Sequence, residues 1–315
     1  MMEKHEYELY KCISNMDQEM LRKSLVNILK KDFSNVIATK EYIMAQGETP
    51  VALVAHLDTV FTYGKRRIYY DKEADVMWSP HGLGADDRAG VFAILQILRQ
   101  GLRPTVIFTT DEELGCMGAD KLTMDYMDAP WPIHYIIEVD RQGANDCVFY
   151  GCNNEVFEKY INDFGFVTHI GSYSDISAIC PAWGIAGVNL SVGYINEHSL
   201  QETLHVKYLE RTIDKIKEML TQTNIPFFKY VPFNPPKGTS VGFSFDYITC
   251  DGCGEPEDPY MMIPVGKKHF CPECSLTKID WCKKCGAPYI IGNKKKHKCK
   301  EEKDERGTED NSASV

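Results

Sequence analysis

Apolar positions between residues 6 and 31 recur at helical spacing (Leu9, Ile13, Met16, Leu21, Leu25, Ile28) and predict two short helices. The pattern then changes to short apolar runs at 51–55, 105–108, 135–139 and 186–192, each rich in β-branched residues. Unbroken runs of that length are what strands buried on both faces require. Helical stripes separate most of them. The clearest covers 86–100, where Val91, Ile94, Leu95 and Leu98 share a face and two aspartates sit at the positive N-terminal end. Another covers 206–220 through Leu209, Ile213, Ile216 and Leu220. Strands alternating with helices predict an α/β three-layer sandwich, with a mostly parallel mixed sheet flanked by helices.

The periodicity stops after the last stripe. IPFFKYVPFNPPKGTS holds four prolines and no repeat, so 231–247 is predicted to be a linker. It divides a large domain at 1–230 from a small cysteine-rich module at 248–300. The stretch 301–315 has almost no apolar residue and is expected to be disordered. A length of 315 residues leaves room for one large core and a small appended unit. The apolar share of 43% and the charged share of 25% are those of a soluble chain, with no run long enough to span a membrane. The polar start MMEKHEYELYKCISNMDQEM does not read as a secretory signal, so a cytoplasmic location is expected. A net charge of -10 argues against non-specific nucleic-acid binding by the whole chain, although Lys294, Lys295, Lys296, Lys298 and Lys300 form a local basic patch.

Seven of the twelve cysteines fall between Cys250 and Cys299, paired in a way that suits metal in a reducing compartment better than a disulfide framework. Cys250 and Cys253 precede Cys271 and Cys274 across a 17-residue gap, the spacing of a zinc site. Cys282, Cys285, His297 and Cys299 supply a second set of four. Two structural zinc ions are expected, bound by sequential or interleaved pairs, and supplying much of the module's folding energy. The module resembles zinc ribbons in general, and its lysines suit a protein or nucleic-acid partner as well as plain solvation.

Four predicted strands run into possible metal ligands. The first reaches His56 and Asp58, the second Asp111, Glu112 and Glu113, the third Asp140, and the fourth is soon followed by His198. Ligands of open α/β sheets bind at the carboxyl ends of the strands, so these residues are expected at one edge. Asp58, two residues from His56, can share its face and accept from the imidazole nitrogen turned away from a metal. Glu112 and Glu113 offer a ligand beside a base. Each signal alone has a plainer meaning: a helix cap for Asp86 and Asp87, an acidic turn for the glutamates, a turn former for Asp140. Spacing does not single out His198 from His5, His81, His134, His169 and His205.

The joint order carries more. HLDTV, LGADDRAG, TTDEELGCMGA, EVD and NEHSLQE, spread over residues 56–202, resemble the metal-binding series of the zinc exopeptidase superfamily that includes peptidase T, carboxypeptidase G and the dinuclear aminopeptidases. The resemblance implies two catalytic zinc ions bridged by Asp86, one also held by His56 and Asp140, the other by Glu113 and His198. It makes Glu112 the general base, Asp58 the partner of His56, and Asp175 in SYSDISAIC a support of the pocket. The implied activity is amide hydrolysis in small peptides by an aminopeptidase or dipeptidase. Deacylation of N-acyl amino acids or other small amides is the alternative. A third reading is a non-catalytic protein working through the zinc module, against which the intact Glu112 and Glu113 pair speaks. Only residues 141–197 separate the third acid from the last histidine, which is closer to the single-domain aminopeptidases than to members carrying a lid domain there.

Overall fold

The four apolar runs lie side by side at the centre of an eight-stranded sheet. This computed structural model describes residues 2–61, 66–233, 248–257, 263–265, 267–282 and 288–292. The chain divides into two compact units, Met1–Phe233 and Asn234–Val315. The first unit begins with α1 (Lys4–Ser14), α2 (Gln18–Asp32), β1 (Val36–Ala38), β2 (Tyr42–Ala45), β3 (Thr49–His56), β4 (Tyr69–Asp71) and β5 (Val76–Trp78). It continues with α3 (Ala85–Arg99), β6 (Pro104–Thr109), α4 (Met117–Asp125), β7 (Tyr135–Arg141), β8 (Asp146–Val148), α5 (Glu155–Asp163) and β9 (Val167–Thr168). It closes with α6 (Ile176–Trp183), β10 (Gly187–Ser191), β11 (Tyr194–Ile195), β12 (Thr203–His205) and α7 (Val206–Leu220).

The main sheet has the order β1-β2-β6-β3-β7-β10-β8-β9, and its centre, β6-β3-β7-β10, is parallel. Antiparallel pairs lie toward the edges, at β1 with β2, β2 with β6, and β10 with β8. The result is the α/β sandwich with a mixed sheet that the pattern predicts. Alternate residues feed two separate cores. Val51, Leu53 and Ala55 pack with Leu25, Phe92, Ile94, Leu209 and Ile216 of α2, α3 and α7. Ala52 and Val54 point the other way, toward Leu122, Ile179 and Trp183 of α4 and α6. Both faces are covered, which is why the runs are continuously apolar.

Two features depart from the sequence reading. A second sheet, β11-β12-β5-β4, is wholly antiparallel. Its strands are two or three residues long, too short for an alternation to register. The helix expected at 86–100 is assigned from Ala85, yet Asp86 (φ -78, ψ 106) and Asp87 (φ -112, ψ 40) are not helical. The regular helix starts after Asp87, whose side chain accepts the Gly90 N–H at 2.8 Å as a cap does. Asp86 is left outside the helix.

Among the described residues, the second unit contains three two-stranded ribbons, β13 (Ile248–Thr249) with β14 (Pro256–Glu257), β15 (Ile263–Val265) with β16 (Lys268–Phe270), and β17 (Ile279–Trp281) with β18 (Pro288–Ile290), plus α8 (Pro272–Lys278). Of the expected linker at 231–247, residues 234–247 lie outside the described residues, as do the basic patch, Cys285, His297, Cys299 and the tail from 301. No described helix is long and apolar enough to cross a membrane.

Candidate active site

The five candidate ligands come together at the carboxyl ends of the parallel strands, although two of them, Asp86 and His198, come from elsewhere. His56 is the last residue of β3 and is 1% exposed. Its Nε2 lies 3.0 Å from Asp86 Oδ1 and 3.3 Å from Asp140 Oδ1. On the other side, His198 Nε2 lies 3.1 Å from Asp86 Oδ2 and 3.0 Å from Glu113 Oε2. One carboxylate therefore stands between two imidazoles, each with one further acid. His198 comes from the β11–β12 connection of the second sheet, at φ 59.

Asp58 organises two of these elements at once. Its Oδ1 is 3.1 Å from His56 Nδ1, and its carboxylate accepts the N–H groups of Glu112 at 3.1 Å and Glu113 at 3.0 Å. The contact fixes which imidazole nitrogen faces the site. Asp111 turns elsewhere: Gln18 Nε2 donates to its Oδ1 at 2.8 Å, and its own N–H donates to Gln18 Oε1 at 3.3 Å. Asp87 also lies within 4.8 Å of His56 and Asp140. Its oxygens, however, accept main-chain N–H groups of Gly90 at 2.8 Å and His56 at 3.3 Å. The cap and the site acid, two meanings of one Asp-Asp pair, fall on separate residues.

Glu112 borders a cleft of about 150 Å³ together with Asp86, Asp140, Tyr150, Tyr173 and Glu197. Burial pushes its pKa up to about 7; His56 opposes this, while Asp175, Asp86 and Glu113 add to it. A carboxyl that titrates near neutrality can both take and return a proton. Asp175 is buried beneath it and accepts from Thr109 Oγ1. Asp140 is held by Ser174 Oγ at 3.2 Å and Tyr194 OH at 3.2 Å, and its N–H donates to Asn189 Oδ1 at 3.0 Å. Ser174, Asn189, Tyr194 and Glu202 are site residues that the sequence reading gave no role. Ser174 and Glu202 stand inside SYSDISAIC and NEHSLQE, and those strings were the available signal.

The donor set fits a pair of metal ions. Two imidazole nitrogens and three carboxylates are the ligand types zinc prefers. Glu113 Oε1 is buried with no hydrogen-bond partner among the described residues. One donor atom each from His56, Asp86 and Glu113 lies within 4.8 Å of the others.

Residues 35–166 match the family model of peptidase family M28. Aminopeptidase PepT from Bacillus cereus superposes with a TM-score of 0.53 at 14% identity, over 68% of this chain and 97% of that one. A tripeptidase from Staphylococcus aureus gives 0.55 at 15%, over 69% and 97%. A TET aminopeptidase from a marine sediment thaumarchaeon gives 0.51 at 14%, over 70% and 97%. The chain has the fold that these peptidases share. No curated protein sequence matches the chain significantly. Within this fold, the ends of β3 and β7, the segment after β6, the turn at the start of α3 and the β11–β12 connection supply the acids and imidazoles described above.

The second unit holds a different cluster. The Sγ atoms of Cys250, Cys253, Cys271 and Cys274 lie within 4.8 Å of one another. Gly252 N–H and Cys271 N–H donate to Cys250 Sγ at 3.3 and 3.2 Å, and Cys274 N–H donates to Cys271 Sγ at 3.4 Å. Desolvation opposes ionisation of Cys250, yet main-chain donors from Cys271, Cys253 and Gly252 hold its thiol down to about 6. Four converging sulfurs with one thiol already acidified suit a tetrahedral structural metal. Cys282 is described, whereas its three expected partners are not.

Proposed function

We propose that the chain is a zinc-dependent hydrolase that removes residues from small peptides as an aminopeptidase or dipeptidase. The observation that carries this reading is Asp86, whose two oxygens face His56 and His198 at 3.0 and 3.1 Å. In this reading His56, Asp86 and Asp140 hold one zinc ion, and Asp86, Glu113 and His198 the other. Bound zinc would supply Lewis acidity toward the scissile carbonyl and toward water. Asp58 keeps the His56 ring turned so that Nε2 faces the site, and Glu112 takes the proton from water at a carboxylate oxygen and returns it to the departing amine. Cys250, Cys253, Cys271 and Cys274 hold a structural zinc ion in the second unit. That proteins of like fold include an aminopeptidase and a tripeptidase supports small peptides as substrates.

A second reading, hydrolysis of N-acyl amino acids, is favoured by Arg141. It follows Asp140, lines the same cleft, and offers a guanidinium to a substrate carboxylate. Full-length protein assayed on aminoacyl anilides, free dipeptides and N-acetyl amino acids, with and without chelator, tests both. Chelator-sensitive release from the first two classes is expected; turnover of N-acetyl amino acids alone would replace the first reading with the second. No chelator-sensitive turnover of any class would overturn both.

A further inference from the structure

Glu202 belongs to none of the ligand or base positions, yet it is fully buried beside them. Its Oε2 accepts the Gly84 N–H at 2.5 Å and its Oε1 the Asp86 N–H at 3.1 Å, and the Ala85 N–H also points at this carboxylate. Three successive amide groups converge because Gly84 adopts a left-handed conformation (φ 65) and turns the chain into a concave nest for an anion. The chain supplies that anion itself. Without it, three donors would face the interior with nothing to accept them, and the turn that carries Asp86 would lose the contact that sets its position.

The origin of this carboxylate gives the contact its meaning. Glu202 stands four residues after His198, in the same β11–β12 connection. One segment thus presents an imidazole to the Asp86 side chain and a carboxylate to the Asp86 main chain. His56 and Asp140, by contrast, sit at the ends of strands locked in the main sheet. We infer that Glu202 is a positioning residue that ties the His198 connection to the Asp86 turn, and so governs the metal position made by Asp86, Glu113 and His198 more than the one made by His56, Asp86 and Asp140. Loss of the tie relaxes two of the three protein donors at the former position and only one at the latter. The inference rests on the dinuclear reading of the site.

Metal-stripped full-length chain titrated with Mn²⁺ and followed by electron paramagnetic resonance tests it, because a hard cation samples the carboxylate site and not the thiolates. The wild type should take up two ions and develop a spin-coupled signal. Glu202→Gln, which keeps the size and removes the charge, should still bind the first ion and bind the second about ten- to a hundredfold more weakly, with the coupled signal lost at concentrations that saturate the wild type. Glu202→Asp keeps the charge on a shorter arm and should fall between the two; it serves in place of the glutamine variant if that chain does not fold. Wild-type uptake and coupling in a folded variant would overturn the inference, as would equal loss of both ions together with a lowered melting temperature of the metal-free chain. A wild type that binds fewer than two ions would overturn both the inference and the dinuclear reading beneath it.

Discussion

The two candidate metal-binding regions are built by opposite strategies. The acids and imidazoles of the first unit come from residues 56 to 198, on five separate segments that only the fold brings together. The thiols of the second unit arrive as two CxxC pairs, and the strands that run into them, β13 and β16, are only two and three residues long. A scattered site is positioned by the core: His56 ends a strand whose Leu53, Val54 and Ala55 are wholly buried. A local site with little described core behind it would draw much of its stability from a bound ion. On the proposed reading, metal binding would follow from the fold in one region and drive it in the other.

Removal of metal is the strongest way to break that contrast. Structural zinc contributes about 10–16 kcal/mol to folding in small zinc modules, whereas the first unit has two apolar cores of its own. Treating full-length protein with a strong chelator should abolish amide protection across 248–257 and 267–282 while the amides of β3 and β7 stay protected. Hydrogen exchange measured segment by segment reads this directly. Equal loss in both units would mean that the first unit also depends on metal to fold.

Glu112→Gln sharpens the contrast inside the first unit, by separating the chemistry from the scaffold that holds the ions. The substitution leaves all five proposed ligands in place and removes only the proton acceptor. A fall in kcat of about 10²- to 10⁴-fold is expected, with the metal content of the chain unchanged by elemental analysis. Activity within a few-fold of wild type would dismiss Glu112 as the base.

How much of this was legible from residues alone follows the same division. The four central strands, α7 and the convergence of strand ends could be read because each is written in a run long enough to have a period. The cysteine spacing was legible for the opposite reason, since its geometry is almost entirely local. What escaped notice was short or singular. The strands of the second sheet are two or three residues long, and Tyr194 and Asn189 reach Asp140 from positions where a lone polar residue in an apolar run has many meanings. Glu202 was equally hidden: its partners, Gly84 to Asp86, lie more than a hundred residues earlier in the chain. The Asp86 and Asp87 pair was ambiguous by spacing because both meanings were present, and only the resemblance singled out Asp86 for the site.

That ambiguity supplies the smallest effect and the cleanest discrimination. Asp87 accepts from Gly90 and His56, two buried main-chain donors, while Asp86 faces the imidazoles. Asparagine is nearly as good a cap as aspartate and can keep the bond to Gly90, but its amide group can put a donor toward the His56 N–H. Asp87→Asn should therefore lower the stability of the metal-loaded chain by about 0.5–2 kcal/mol, the range of a weakened cap, and keep both ions in the first unit. Asp86→Asn replaces one of the two facing oxygens with an amide nitrogen, which has no lone pair to offer a cation, so the second ion should be lost. Calorimetry and metal counts on the two variants together decide the assignment. Loss of an ion from the Asp87 variant, with both retained by the Asp86 variant, would reverse the two roles.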